Sequence, residues 1–255
     1  MIKIGVFGAT GRMGQVVIKN VLDDENVILS AVHVEVGDVD VKESVLKTDD
    51  IKKFLEAVDV VIDFSLPIGT QSLMEEALNN SAKPVVCAVT GLTNHQENLI
   101  NEASTFMPVL HSTNMSLGVA LLNKLTKIAS KTLSEFDVEI VEQHHRYKKD
   151  SPSGTAMTLA TNAAVSRGLD IEDVRVSGRN GDIGARSKNE IGVMSLRGGD
   201  IVGRHTVGFY NDGEFIELYH QATSRDTFAK GAIRAAKWLV NQDNALYSID
   251  DCLGL

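Results

Sequence analysis

The chain has 255 residues, with 25 Lys and Arg against 34 Asp and Glu, a formal net charge of −9. At 43% apolar and 23% charged its composition excludes wholesale disorder and fibrous architectures, and its length fits one large domain or two modest ones. The acidic balance argues against a nucleic-acid partner. Cys87 and Cys252 are too few for a secreted disulfide framework, and the stretch after Lys3 is broken by Gly5, Gly8 and Arg12. No signal peptide, no membrane span and a cytoplasmic location are therefore expected.

In the first 110 residues, short runs rich in branched side chains alternate with helical patterns. The runs are Ile2 to Phe7, Val27 to Val34, Val58 to Phe64, Pro84 to Val89 and Pro108 to His111. Such alternation predicts βαβ units and a parallel sheet. Met13, Val17 and Val21, with Ile18 and Leu22, place one apolar face on the intervening helix. The pattern changes near residue 115. Leu117, Leu121, Leu125 and Ile128 predict a second amphipathic helix, and Val138 to Val141 predict a strand leading into a polar loop. Ile201 to Tyr210 and Glu214 to Ala222 flank Asn211-Asp212-Gly213, a composition suited to an antiparallel hairpin. Helical spacing returns from Phe228 to Leu239, with Ser224 or Asp226 as N-cap. The expected architecture is a Rossmann-type parallel sheet domain, 1–115 and 224–255, with an inserted mixed α+β domain, 116–223.

Directly after the first predicted strand comes Gly8-Ala9-Thr10-Gly11-Arg12-Met13-Gly14. A strand-to-helix turn presents backbone N–H groups to a pyrophosphate, and glycines let it approach. The G-x-x-G-x-x-G spacing differs from the commonest dinucleotide fingerprint, so an ordinary tight turn is the competing reading. Arg12 is open to two readings, a cation over the phosphates or a solvated side chain. Glu35 lies 21 positions beyond Gly14, where a ribose-binding acid is expected. A carboxylate there accepts ribose hydroxyls and repels a 2′-phosphate, so NADH should serve at least as well as NADPH; an exposed loop glutamate is the alternative.

The run Glu139 to Ala156 is the most informative. His144, His145, Arg146, Lys148 and Lys149 put five potential cations within six residues. A solvated basic loop is the default for such a cluster. The paired histidines, however, suit proton transfer near neutrality, and Ser153-Gly154-Thr155 after Pro152 reads as a helix start offering donors to a carboxylate. His111, His144 and His145 lack metal-ligand spacing, so no metal is expected. No G-x-S-x-G elbow occurs either.

These residues carry a resemblance. E-I-V-E-Q-H-H-R-Y-K-K-D-S-P-S-G-T-A from Glu139 to Ala156 closely resembles the signature of the dihydrodipicolinate reductase family, also called 4-hydroxy-tetrahydrodipicolinate reductases. Supporting stretches are Gly8 to Gly14, Val61 to Ser65, Thr113 to Ser116, Arg197 to Gly203, and Ser224-Arg225 through Ala229. The resemblance implies a reductase of the diaminopimelate route to lysine that takes NADH and/or NADPH and a small ring dicarboxylate. It also implies a second domain that builds a homotetramer. By the resemblance, His144 is the proton donor and Lys148 a second donor and carboxylate contact, while His145, Gly154 and Thr155 bind substrate. Gly8, Ala9, Thr10, Gly11, Arg12 and Met13 match the pyrophosphate loop, and Ala88, Val89 and Thr90 a further cofactor segment. Thr113, Asn114, Met115 and Ser116 match a segment beside the nicotinamide.

Two departures stand out. Ala88-Val89-Thr90-Gly91 replaces the family's G-T-T-G, so no hydroxyl contact is available at Val89. Glu35 lies one residue beyond the family's usual acid. Arg225 is either a pocket cation or a surface arginine. Two other functions compete: a non-catalytic dinucleotide sensor, which has no use for His144 and Lys148, and an aspartate-semialdehyde type of dehydrogenase, which needs a cysteine in the second domain.

Overall fold

A computed structural model describes all 255 residues. They form two compact units, Met1–Leu117 with Arg225–Leu255, and Gly118–Ser224.

The first unit begins β1 (Ile2–Phe7), α1 (Arg12–Leu22), β2 (Val27–His33), β3 (Leu46–Thr48), α2 (Ile51–Glu56), β4 (Val60–Asp63), α3 (Pro67–Asn79), β5 (Val85–Cys87), α4 (Asn94–Ala103) and β6 (Val109–His111). Runs of apolar strand residues are fully buried, as in Ile4 and Val6, Val60 to Ile62, and Val85 to Cys87. Strands apolar on both faces need cover on both faces, which βαβ crossovers supply. The observed strand pairs of this sheet are all parallel. Val17, Ile18 and Val21 of α1 are buried while Leu22 is exposed. The strands are shorter than the apolar runs that mark them: Val58 and Pro84 lie before β4 and β5, and Val89 lies beyond β5.

In the second unit, α5 (Leu117–Thr132), β7 (Asp137–His144), α6 (Gly154–Val165), α7 (Ile171–Val174), β8 (Arg175–Val176), β9 (Ile191–Arg197), β10 (Gly203–Asn211) and β11 (Glu214–Ala222) follow in order. The sheet order is β11-β10-β7-β9-β8. Its first half is antiparallel and its second parallel, making a mixed sheet. Alternation decides which face is covered. Val138, Ile140, Val207, Phe209, Ile191 and Val193 point to one side and pack on Ala156, Leu159, Ala160 and Ala163 of α6.

The predicted stripe on α5 runs against expectation. Leu121, Leu125 and Ile128 are exposed, whereas Val119, Ala120, Leu122, Thr126 and Ser130 are the buried residues. The small residues and hydroxyls turn inward because carbonyl oxygens take their polarity: Thr126 Oγ1 donates to Leu122 O of the same helix, and Ser130 Oγ donates to Ala163 O of α6.

The chain then returns to the first unit as α8 (Asp226–Leu239), β12 (Leu246–Tyr247) and α9 (Ile249–Leu253). The N-cap of α8 is Arg225, without a side-chain cap bond, rather than Ser224 or Asp226; Asp226 instead accepts from Asn20 Nδ2 of α1 at 3.1 Å. β12 pairs parallel with β6, which completes the order β12-β6-β5-β4-β1-β2-β3.

Candidate functional site

The glycine loop occupies the carboxyl end of β1. Gly8 has φ of +80°, a region that excludes most side chains. A Cβ on Gly14 would fall 2.2 Å from Gly8 O, so the helix can start this close to the turn only without one. Gly11 caps α1 with no side-chain acceptor, which leaves the amides of the first helical turn to face an anion. A cleft of about 680 Å³ opens alongside, lined by Gly8, Thr10, Gly11, His33, Glu35 and Asp49 among others. No lysine or arginine lines it. His33 stacks on Phe7 at 4.2 Å between centroids, and burial pushes its pKa down. The cleft is therefore acidic where Glu35 and Asp49 stand.

Asp63 closes β4 beside this cleft. It is fully buried, accepts from Ser65 N at 2.8 Å and from Thr70 Oγ1 at 2.7 Å, and so fixes the Phe64-Ser65 turn that also lines the cleft. Ala88 N donates to Asp63 O at 2.9 Å, placing Ala88 and Val89 at the adjacent strand end, where Val89 O meets His111 Nε2 at 3.3 Å. Thr90 is exposed. Ser116 N donates to Asn114 Oδ1, and Ser112 Oγ to Asn114 O, folding 112–116 into a tight turn after β6. Arg12 is exposed at the start of α1, and Arg225 caps α8.

In the second unit, His144 is the last residue of β7 rather than part of a loop. Its Nδ1 lies 2.6 Å from Glu142 Oε2. The two side chains share the covered face of the sheet because they are two residues apart on one strand. Glu142 is fully buried, and its carboxylate also receives both outer nitrogens of Arg197 at 2.8 Å and the Ser153 amide at 3.0 Å. Burial pushes its pKa up, but Arg197, His144 and the Ser153 amide together pull it down to about 2. Glu142 is therefore ionised at any working pH. For His144, burial lowers the pKa; the Glu142 carboxylate opposes this, while Lys148 and Arg197 add to it. The net direction is down.

Around this pair, Lys148 Nζ lies 2.9 Å from Asp150 Oδ1, and Arg197 also donates to Asp150 O at 2.6 Å. Ser153 caps α6 by accepting from Ala156 N, which leaves Gly154 and Thr155 on its first turn. A Cβ on Gly154 would meet no protein atom within 4 Å, so the fold itself does not require a glycine there. His145 lies next to the turn, its ring 6.3 Å from Tyr147. His205 of β10 stands edge-on to His144 at 5.2 Å and is nearly fully buried; burial first, then the neighbouring His144 and His220, push its pKa down to about 4. It is thus neutral near pH 7.

The structure brings His144, Lys148, Gly154 and Thr155 to one end of β7 and α6, and the glycine loop, Glu35, 88–90 and 113–116 to the carboxyl end of the parallel sheet. His111 belongs to the first unit and His144 and His145 to the second, and no group of three or more His, Cys, Asp or Glu could hold a metal ion. Sequence reasoning missed Glu142, Arg197, Asp63 and His205 as site neighbours. For Glu142 the signal was present, a carboxylate two residues before a strand-end histidine. Arg197 heads a stretch that carries the resemblance, but its pairing with Glu142 was not readable, since it lies 55 residues away and arrives through the β7–β9 pairing.

Comparison with known proteins agrees over the whole chain. Residues 2–115 match the family model described as dihydrodipicolinate reductase, N-terminus, and residues 118–253 match its C-terminus. The 4-hydroxy-tetrahydrodipicolinate reductase of Sulfurovum sp. (strain NBC37-1) is 63% identical, and that of Aliarcobacter butzleri (strain RM4018) 59%, each over 100% of both chains. A dipicolinate-bound dihydrodipicolinate reductase from Paenisporosarcina sp. TG-14 shares the fold with a TM-score of 0.81, at 23% identity, covering 97% of each chain. With both halves matched and relatives this similar along their full length, the chain belongs to the dihydrodipicolinate reductase family.

Proposed function

We propose that His144 is the proton donor of the reaction and that Lys148, His145 and the Gly154-Thr155 helix start hold the substrate carboxylates. The reaction is the family's: NAD(P)H-dependent reduction of 4-hydroxy-tetrahydrodipicolinate to tetrahydrodipicolinate, in diaminopimelate and lysine biosynthesis. The observation that carries the residue assignment is the His144–Glu142 contact of 2.6 Å. A buried carboxylate takes Nδ1–H, so Nε2 is left as the face that exchanges a proton. An imidazole held in one orientation by a carboxylate is a suitable general acid.

The nicotinamide cofactor supplies the hydride when bound. Gly8 to Met13 cradle its pyrophosphate with backbone N–H groups, a fit supported by the uncapped start of α1 and the positive φ of Gly8. Ala88 to Thr90 and Thr113 to Ser116, which follow β5 and β6, would meet the cofactor from those strand ends. Glu35 accepts the ribose hydroxyls, and with Asp49 it makes an acidic cleft without lysine or arginine, which disfavours a 2′-phosphate and favours NADH. On the substrate side, Lys148 neutralises one carboxylate, and the first amides of the 12-residue α6 receive another.

The protein works as a cytoplasmic homotetramer built through its second unit. Leu196, Phe215 and Tyr219 are exposed, and strand register puts them on the sheet face opposite the α6 core. Bare apolar residues on one sheet face favour burial against further copies of the chain.

The test couples the purified protein to a dihydrodipicolinate synthase and follows oxidation of NADH and NADPH. Turnover with NADH favoured is expected, and His144→Gln should lose it while still binding cofactor. Full activity of His144→Gln would reject the donor assignment.

A further inference from the structure

We propose that the Glu142–Arg197 ion pair is the positioning element of this site, fixing the tautomer of His144, setting how firmly its ring holds the second proton, and pinning the loop that carries Lys148. The inference rests on His144 being the proton donor, and the test separates the two.

Glu142 has both carboxylate oxygens engaged from four directions. Oε2 takes His144 Nδ1 and one Arg197 nitrogen; Oε1 takes the other Arg197 nitrogen and the Ser153 amide. A side chain so held cannot swing, and a planar guanidinium matched to a carboxylate by two parallel bonds adds direction to the charge. His144 therefore has one ring orientation and one tautomer, the arrangement that an orienting carboxylate gives a catalytic histidine. The same Arg197 reaches Asp150 O at 2.6 Å, and Asp150 holds Lys148 Nζ at 2.9 Å. Arg197 also spans the chain ends of interest: the loop leaves β7 at His144, passes Asp150, and re-enters the fold at Ser153, whose amide is on Glu142. One ion pair thus anchors the loop at its middle and at its far end.

Electrostatically the pair is a balance. His144 faces the Glu142 anion from its own strand, the Arg197 cation from β9, the Lys148 cation from the loop with Asp150 behind it, and the uncharged His205 from β10, with His220 of β11 beyond His205. Glu142 favours the imidazolium, while Arg197 and Lys148 oppose it. Removing one member or the other must therefore move His144 in opposite directions. A donor that works protonated is present below its pKa and lost as pH rises through it, so the alkaline limb of kcat reports this movement.

The experiment measures kcat and KM against pH for E142Q, R197M and R197K, with carbon-13 labelled histidine to follow the His144 ring by NMR, assigned through His144→Gln. In E142Q the limb and the ring titration move to lower pH, and kcat falls about 10²-fold, the low end of what a positioned general acid contributes. In R197M both move to higher pH, and R197K, which keeps the charge, returns them toward the parent. Loss of the pin on Asp150 raises substrate KM in both Arg197 variants, while cofactor KM stays within about twofold, since the cofactor loop lies in the other unit. A purely structural role predicts lower activity at every pH with no movement of either limb or ring, and that result overturns the proposal. If the ring titrations move oppositely but the kcat limb does not follow, the positioning role stands and His144 as donor fails. Should E142Q not fold, the opposed behaviour of R197M and R197K decides the question alone.

Discussion

Thr70→Val removes one buried oxygen behind the Phe64-Ser65 turn that lines the cleft, without changing the shape of the side chain. Thr70 Oγ1 donates to Asp63 Oδ2 at 2.7 Å, and both residues are buried, at 1% and 0% exposure. Deleting the donor strands a buried acceptor. A bond to a carboxyl group in this position contributes about 2 kcal/mol, equivalent to a fall of about 4–8 °C in Tm for a protein of this size. Burial raises the pKa of Asp63, and its bonds to Ser65 and Thr70 partly offset that. Because the folded state binds this proton more tightly than the unfolded one, the Asp63 contribution to stability is greatest in acid. It declines as pH rises from the ordinary carboxylate value toward the raised one. The variant loses a bond that favours the ionised form, so its pKa rises further, and the destabilisation grows with pH between the parent's raised value and the variant's higher one. Urea unfolding followed by Trp238 fluorescence measures it. This is the only tryptophan, set edge-on to Tyr247 at 5.0 Å inside the first unit. A Thr70→Val protein as stable as its parent at pH 7, or one whose deficit is larger in acid, would refute the reasoning.

Replacing His144 by Gln should lower kcat by about 10²–10⁴-fold with NADH affinity intact, checked by steady-state kinetics and cofactor fluorescence titration. Glu35→Ala should narrow the preference for NADH over NADPH, read as the ratio of kcat/KM values; an unchanged ratio places the acid elsewhere. Gly231→Ala should destabilise the first unit by more than about 1 kcal/mol, because the added Cβ would sit 1.8 Å from Met115 O; thermal unfolding tests it. Charge on the open sheet face, as in the double change Phe215→Glu with Tyr219→Glu, should shift sedimentation from tetramer toward smaller species while the first unit still binds cofactor.

Local chemistry made most of the fold legible. Branched runs under full burial gave the parallel strands, and the glycine spacing marked the turn after β1. What sequence reading could not see was long-range. The stripe Leu121, Leu125, Ile128 is a good helical signal, yet periodicity cannot say which side of a helix meets the core when hydroxyls such as Thr126 and Ser130 can satisfy themselves on carbonyl oxygens. The site divides in the same way. His144 and Lys148 stand out within one polar run, and Gly154-Thr155 follow a proline. Arg197 belongs to a stretch that carries the resemblance, but its place beside Glu142, 55 residues away, shows only when β9 pairs with β7 in register His144 to Arg197. Asp63 reads as an ordinary strand-end acid until its burial is known.

The pairing of β12 with β6 also governs the order in which the chain can fold as it is made. Residues 118–224 form a compact unit that contains every strand of its own sheet, so this unit can close while the ribosome is still adding α8. The parallel sheet is different. One of its edge strands is Leu246–Tyr247, and α8, with seven buried residues, packs on β4, β5 and β6, so its core stays open until α8 and β12 have emerged. During synthesis the exposed apolar strands of the first unit, rather than the sheet of the second, are the surface that chaperones must shield.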